Sequence, residues 1–145
     1  MTNSNDRRAN EIKRGVVGVC FRNEQFLVIR RSQHVRSPGA YCFPGGTIEP
    51  GESEDVAVIR ELLEELSLSI RPVRRLLTTE TPWRVSLAWW LIDCEEFESM
   101  NPNPAEVEAV QWMSVAEMRA LPNLLSSNHE FLSAWERGEF SLTRS

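Results

Sequence analysis

Residues 46–68, GTIEPGESEDVAVIRELLEELSL, narrow the structural options for this chain more than any other segment. They place Glu52, Arg60, Glu61, Glu64 and Glu65 on a glycine-rich loop and the helix that follows. Three and four residues apart, Glu61, Glu64 and Glu65 crowd one strip of helix, and like charges at that spacing repel by roughly 0.2–0.5 kcal/mol per pair. Glu64 and Glu65 also fall near the helix C-terminus, where the macrodipole disfavours anions. A bound cation would reverse both penalties. At about 100° per residue the three glutamates share one arc, with Val56, Ile59, Leu62, Leu63 and Leu66 opposite as the expected buried face. Arg60, beside the acidic strip, could hold a glutamate by a charge-assisted hydrogen bond. Most charge runs are solvated faces, so spacing alone leaves a metal site and an acidic surface both open.

The segment resembles the Nudix box, Gly-x5-Glu-x7-Arg-Glu-U-x-Glu-Glu-x-Gly-U, where U is a bulky aliphatic residue. Gly46, Glu52, Arg60, Glu61, Leu62, Glu64, Glu65 and Leu68 fill the pattern, and Ser67 stands where it has glycine. The flanks Phe43-Pro44-Gly45-Gly46 and Glu49-Pro50-Gly51-Glu52 are similar to the family's entry into the box. The resemblance implies an α/β fold, an α/β/α sandwich with a mixed β-sheet between helices. It also implies hydrolysis of a diphosphate bond in a nucleoside diphosphate derivative, a nucleoside triphosphate (oxidised ones included) or a nucleotide sugar. Water activated by Mg²⁺, or Mn²⁺, would attack. Glu61, Glu64, Glu65 and the Gly45 carbonyl would hold metal, Glu61 being also a candidate base. Glu52 and Arg60 would organise the loop and helix around the reaction. Some members recruit a later carboxylate; Glu106, Glu108 and Glu80 are the candidates here. Ser67 puts the helix stop in question rather than the chemistry, because glycine suits a left-handed cap.

Substrate identity is less legible. Arg30, Arg31 and Arg36 precede the glycine loop and are candidate phosphate contacts, while Trp83 is a candidate nucleobase contact. Trp89 and Trp90, adjacent in a strand, must point to opposite faces. Arg31-Ser32 and Arg36 partly resemble the signature of coenzyme A-cleaving members, which keeps coenzyme A or dinucleotide cleavage as an alternative. A catalytically silent nucleotide-binding module is another.

The rest of the chain sets bounds. Its 145 residues suit a single domain, expected over 14–145 behind a flexible tail at 1–13. The polar start, MTNSNDRRANEIKR, has no apolar signal-peptide core, and no apolar run reaches membrane-spanning length. Cys20, Cys42 and Cys94, odd in number and widely spaced, read as reduced core thiols, so a cytoplasmic location is expected. Two histidines and no paired cysteines argue against zinc; carboxylate oxygens suit Mg²⁺ or Mn²⁺. The net charge of −5 argues against extended nucleic-acid binding and leaves a small-molecule nucleotide as the expected partner, with a homodimer as the family's common assembly.

Periodicity predicts strands at Gly15–Phe21 and Gln25–Arg30 joined as a hairpin, then Tyr41–Phe43, Val73–Thr79, Val85–Asp93 and Val107–Met113. Ser53 is the expected cap of the box helix. Ser114 with Glu117, and Ser127 with Glu130, read as capping boxes for two further helices, the last over Asn128–Arg137.

Overall fold

Strand β1 (Lys13–Val19) sends alternate residues into two different cores. Val16 joins one with Leu27, Ile29, Leu62 and Leu66; Val17 and Val19 join the other with Phe26, Trp89 and Phe131. Such a strand, buried on both faces, needs a layer on each side. The computed structural model, which describes residues 12–143, supplies both. The order continues as β2 (Phe21–Arg22), β3 (Gln25–Arg31), β4 (Tyr41–Cys42), β5 (Gly45–Thr47), α1 (Glu54–Leu66), β6 (Arg71–Glu80), β7 (Val85–Asp93), β8 (Val107–Met113), α2 (Val115–Ala120) and α3 (Ser126–Glu136). Helix α1 closes the first core and α3 the second, giving the expected α/β/α layering.

The mixed sheet is divided in two. One sheet has the order β5-β1-β7-β6, with β1 parallel to β7; in the other, β3 pairs with β2, β4 and β8. The predicted hairpin is correspondingly shorter. Both edges of β1 are taken by β5 and β7, so only Phe21 and Arg22 pair with Phe26 and Gln25. Lys13, the last residue of the expected tail, already belongs to β1, and residues 1–11 of that tail lie outside the described residues. Pro72 is tolerated because β6 is an edge strand with a register shift beside it. Among the described residues no helix is long and apolar enough to cross a membrane, and all three cysteines are buried free thiols.

Helix α1 is rotated from its expected setting. Ala57, Val58, Leu62 and Leu66 are buried, but so are Glu61 and Glu65, while Val56, Ile59 and Leu63 face solvent. Each buried leucine contributes roughly 1.5–3 kcal/mol. The helix stays tilted toward its acidic edge because both glutamates meet the backbone of the glycine loop.

Ser67 ends α1 in the left-handed conformation, φ 53° and ψ 35°. Its N–H donates to Leu63 O, the bond a left-handed glycine cap makes, and Leu68 N–H donates to Leu62 O. Serine bears the Cβ penalty there. Ser67→Gly should therefore raise stability by up to about 1 kcal/mol, read as a higher denaturant midpoint at unchanged m-value.

Ser114 and Glu117 form both arms of the predicted capping box. Ser127 and Glu130 do not. Helix α3 starts at Ser126, two residues earlier than expected, with Leu125 at its N-cap and no side-chain cap bond. A backbone contact sets that entry: Leu125 N–H donates to Tyr41 O at 3.0 Å, and Leu124 bridges Tyr41.

Candidate active site

The glycine loop and α1 meet at contact distance. Gly45 N–H donates to Glu65 Oε1 at 2.8 Å. A Cβ on Gly46 would lie 2.3 Å from Glu61 Oε2, so only glycine leaves that carboxylate its place. A Cβ on Gly45 would lie 2.1 Å from Val16 O, which ties the loop flat against β1.

A third carboxylate arrives from the other end of the chain. Asn101 N–H and Asn103 N–H donate to Leu66 O and Glu65 O, both at 2.8 Å, so the loop before β8 caps the open carbonyls of α1. Ser32 Oγ donates to Ala105 O at 2.8 Å, and Ser32 N–H to Glu106 O at 3.0 Å. These bonds deliver Glu106 to a cavity of about 250 Å³ lined also by Glu61, Glu65, Gly45, Gly46 and Arg31. Glu106 Oε2 is buried there without a hydrogen-bond partner.

Arg60 ties the loop to the helix. Its Nε and Nη2 grip Glu52 at 2.7 and 2.9 Å, Nη2 also reaches Thr47 O at 2.9 Å, and Nη1 reaches Glu61 at 3.0 Å and Glu64 at 3.2 Å. The Arg60 bond pulls the Glu52 carboxyl down to about 2, and the same bond pushes the Arg60 guanidinium up, away from deprotonation. Glu64 is half-exposed and turned toward Arg60, beside the cavity rather than in its lining.

The cavity carboxylates are electrostatically undercompensated. Burial, then Glu61 and Glu106, push Glu65 up to about 8 against the pull of the Gly45 N–H. Burial likewise raises Glu61 against the pull of Arg60. Among the described residues no three acidic, histidine or cysteine side chains close into a coordination shell. Even so, buried oxygens of one sign, one of them orphaned, are the donor set a hard divalent cation takes. The residues present fit that ion.

A larger cleft of about 430 Å³ opens from the carboxylate cavity, sharing Arg31, Gly45, Gly46 and Thr47 with it. Gly15 and Val17 form its floor; Leu87, Leu125 and Asn128 stand around it. Another hollow, of about 460 Å³, lies by Ser67, Asp93 and Glu95, away from these carboxylates.

The predicted substrate residues divide. Arg31 and Arg36 line the cleft, and Arg31 Nε donates to Arg36 O at 2.5 Å. Arg30 does not: it donates to Gly39 O, lies over Tyr41 and pairs with Glu108 at 3.1 Å. That pairing takes Glu108 away from the cavity, while Glu80 is exposed at the end of β6. Trp83 is 75% exposed on the β6–β7 turn and outside the cleft lining. Trp89 stacks on Phe131 and Trp90 donates to Glu54, on opposite faces as expected. Ser32 of the partial coenzyme A signature is spent on pinning the Glu106 loop. Sequence reading missed Gly15 and Asn128, whose Oδ1 accepts from Phe43 N–H at 3.0 Å. The only signal for Asn128 was a polar residue on an otherwise apolar helix face.

A NUDIX domain model matches residues 12–135. The chain belongs to the Nudix hydrolase family. It is 33% identical to the 8-oxo-dGTP diphosphatase of Escherichia coli over 68% of this chain and 76% of that protein. It is 28% identical to the NAD-capped RNA hydrolase NudC of Chromobacterium violaceum over 79% of this chain and 43% of that one, so it spans under half the length of that relative. A MutT protein from Methanosarcina mazei Go1 superposes with a TM-score of 0.72 at 21% identity, covering 87% of this chain and 94% of that one. A Nudix hydrolase from Nitrosomonas europaea gives 0.75 at 18% identity, over 90% and 92%. At these identities the structural likeness speaks for the fold.

Proposed function

We propose that this Nudix protein is a Mg²⁺-dependent pyrophosphohydrolase that cleaves a diphosphate bond in a nucleoside diphosphate derivative. Nucleoside triphosphates, oxidised ones included, and nucleotide sugars are the candidate substrates. The observation that carries the reading is the joining of two spaces. A cavity lined by Glu61, Glu65 and Glu106 opens through Arg31 and Gly45–Thr47 into a cleft large enough for a nucleoside. The family relatives named as a diphosphatase and a cap hydrolase support the reaction class.

Glu61, Glu64, Glu65 and the Gly45 carbonyl would hold the metal, with Glu106 added by its orphaned oxygen. Bound there, a divalent ion neutralises phosphate charge and lowers the pKa of water. Arg31 and Arg36, which line the cleft, would hold the diphosphate, Arg31 braced by the Arg36 carbonyl. Glu52 and Arg60 keep the glutamates in register on the loop. Glu61 and Glu106, which line that cavity with Glu65, are the candidate bases for the attacking water.

The first experiment is phosphate release from a panel of nucleoside diphosphate derivatives, in Mg²⁺ and in EDTA. Metal-dependent release from one class supports the reading; silence across the panel with intact nucleotide binding favours a silent module. The two later carboxylates separate cleanly. Glu106→Gln should lower kcat by about 10²-fold, the scale of a lost electrostatic group in a dry site, whereas Glu108→Gln should stay within twofold. Equal effects in the two variants would remove Glu106 from the site.

A further inference from the structure

Strand β8 carries an extra residue next to the carboxylate cavity. From Phe26 opposite Met113 to Arg30 opposite Ala109 the β3–β8 register is unbroken, and then it slips by one, so that Arg31 stands opposite Val107. Kept in register, Arg31 would meet Glu108 and Ser32 would meet Val107. The slip brings Ser32 level with Glu106, and Ser32 N–H donates to Glu106 O at 3.0 Å. Bulges re-aim side chains beside functional sites. Here Glu108 goes out to Arg30 and Glu106 goes into the cavity.

The backbone of Glu106 is held from two sides. Its N–H donates to Asn103 O at 3.0 Å, and Val107 N–H donates to the same oxygen at 2.8 Å. Asn103 Oδ1 accepts from Ala105 N–H at 3.1 Å, and Asn103 N–H donates to Glu65 O at 2.8 Å, which ties the turn to the cavity helix. From the strand side, the buried Ser32 hydroxyl donates to Ala105 O at 2.8 Å and accepts from His34 N–H at 3.2 Å. None of these bonds uses the Glu106 carboxylate, whose Oε2 is buried and unpartnered.

We infer that Ser32, with Asn103 on the other side of the turn, is a positioning residue for Glu106: the two side chains fix the Ala105 peptide groups and so set where the unpartnered oxygen stands in the cavity. The inference rests on the proposed metal reading of that cavity. Residues 94–106 form a long connection between β7 and β8. A carboxylate on such a loop holds its place to about 0.5 Å only with supporting hydrogen bonds. A hydroxyl that merely steadied the loop would cost stability when removed, whatever stood at position 106. A positioning hydroxyl matters to the site only while the Glu106 carboxylate is there to be positioned.

The test is a double-mutant cycle, read by Mn²⁺ titration of the protein and by kcat and KM on the compound that the phosphate-release panel identifies. Ser32→Ala should weaken Mn²⁺ binding and lower kcat by about tenfold each, the lower range for a group that orients a metal ligand, with KM held within about twofold. In a Glu106→Gln background the same change should move each readout by less than about twofold, because coupled residues are not additive. Ser32→Thr, which keeps the hydroxyl, should recover most of the loss. A loss of full size in the Glu106→Gln background, or no loss where Glu106 is intact, overturns the inference. If Ser32→Ala does not fold, Asn103→Ala opens the same turn from the loop side and takes its place in the cycle, under the same two outcomes. Mn²⁺ binding that follows the expected pattern without turnover of any panel compound keeps the positioning role and removes the hydrolase reading. Neither Mn²⁺ binding nor turnover in wild type removes both.

Discussion

Glu65→Gln should lower turnover by about 10²–10³-fold, the scale of losing one charge-stabilising group in a dry site, while making the metal-free protein more stable. The opposite signs share one cause. Glu65 is buried, faces Glu61 and Glu106, and is held at about 8. Its native carboxyl therefore binds a proton more tightly than the unfolded one, whose pKa is near the usual 4.5. Between those values the native state holds more protons, so stability in EDTA falls as pH rises from about 4.5 to 8, by at most about 1.4 kcal/mol per pH unit. Glutamine keeps an oxygen for Gly45 N–H and removes the charge, which should restore about 1–3 kcal/mol at pH 7–8 and flatten that slope. Mg²⁺ should flatten it in wild type too, because ligand carboxylates bind metal deprotonated. Denaturant curves at pH 5 and 8, with Mg²⁺ and with EDTA, read all of this. A Glu65→Gln protein that kept wild-type turnover would take Glu65 out of the metal set.

Gly46→Ala is expected to cost about 10²-fold in kcat through a single methyl group. The Cβ would lie 2.3–2.6 Å from the Glu61 carboxylate atoms, and the backbone there is paired to Val16 of β1. The flexible partner is the glutamate, so it moves. A displacement near 1 Å at a reacting group carries a penalty on this scale. Stability should change far less than in Gly45→Ala, where the clash is with the Val16 carbonyl and overpacking costs about 1–3 kcal/mol. Activity lost with the fold retained in Gly46→Ala, against stability lost in Gly45→Ala, is the pattern to look for. Equal activity in Gly46→Ala and wild type would mean that Glu61 need not stand where it does.

Much of the architecture was legible because its signals are local. The capping box at Ser114 and Glu117, the apolar runs of β1 and β7, and the opposite faces of Trp89 and Trp90 follow from neighbours in sequence. The reading failed where a distant backbone contact decided. Tyr41, far from α3 in sequence, sets that helix's first turn. The two edge partners of β1 shorten the expected hairpin. The rotation of α1 is the sharpest case: helical spacing put Val56, Ile59 and Leu63 in the core, and the fold leaves them in water.

Residues 46–68 carried by themselves the resemblance to the Nudix box, and through that resemblance the expected layered α/β class, while their glutamate spacing marked the acidic positions around which a metal could be held, since that spacing is a property of one helix and one loop. Tertiary structure alone decided which carboxylates share a cavity. Glu106 enters and Glu108 leaves because the loop before β8 caps α1 and Arg30 claims Glu108, contacts across tens of residues that no local pattern encodes. It also decided that Arg31 and Arg36 line the cleft while Arg30 turns to Tyr41 and Glu108, because those partners come from β4 and β8 rather than from neighbours in sequence.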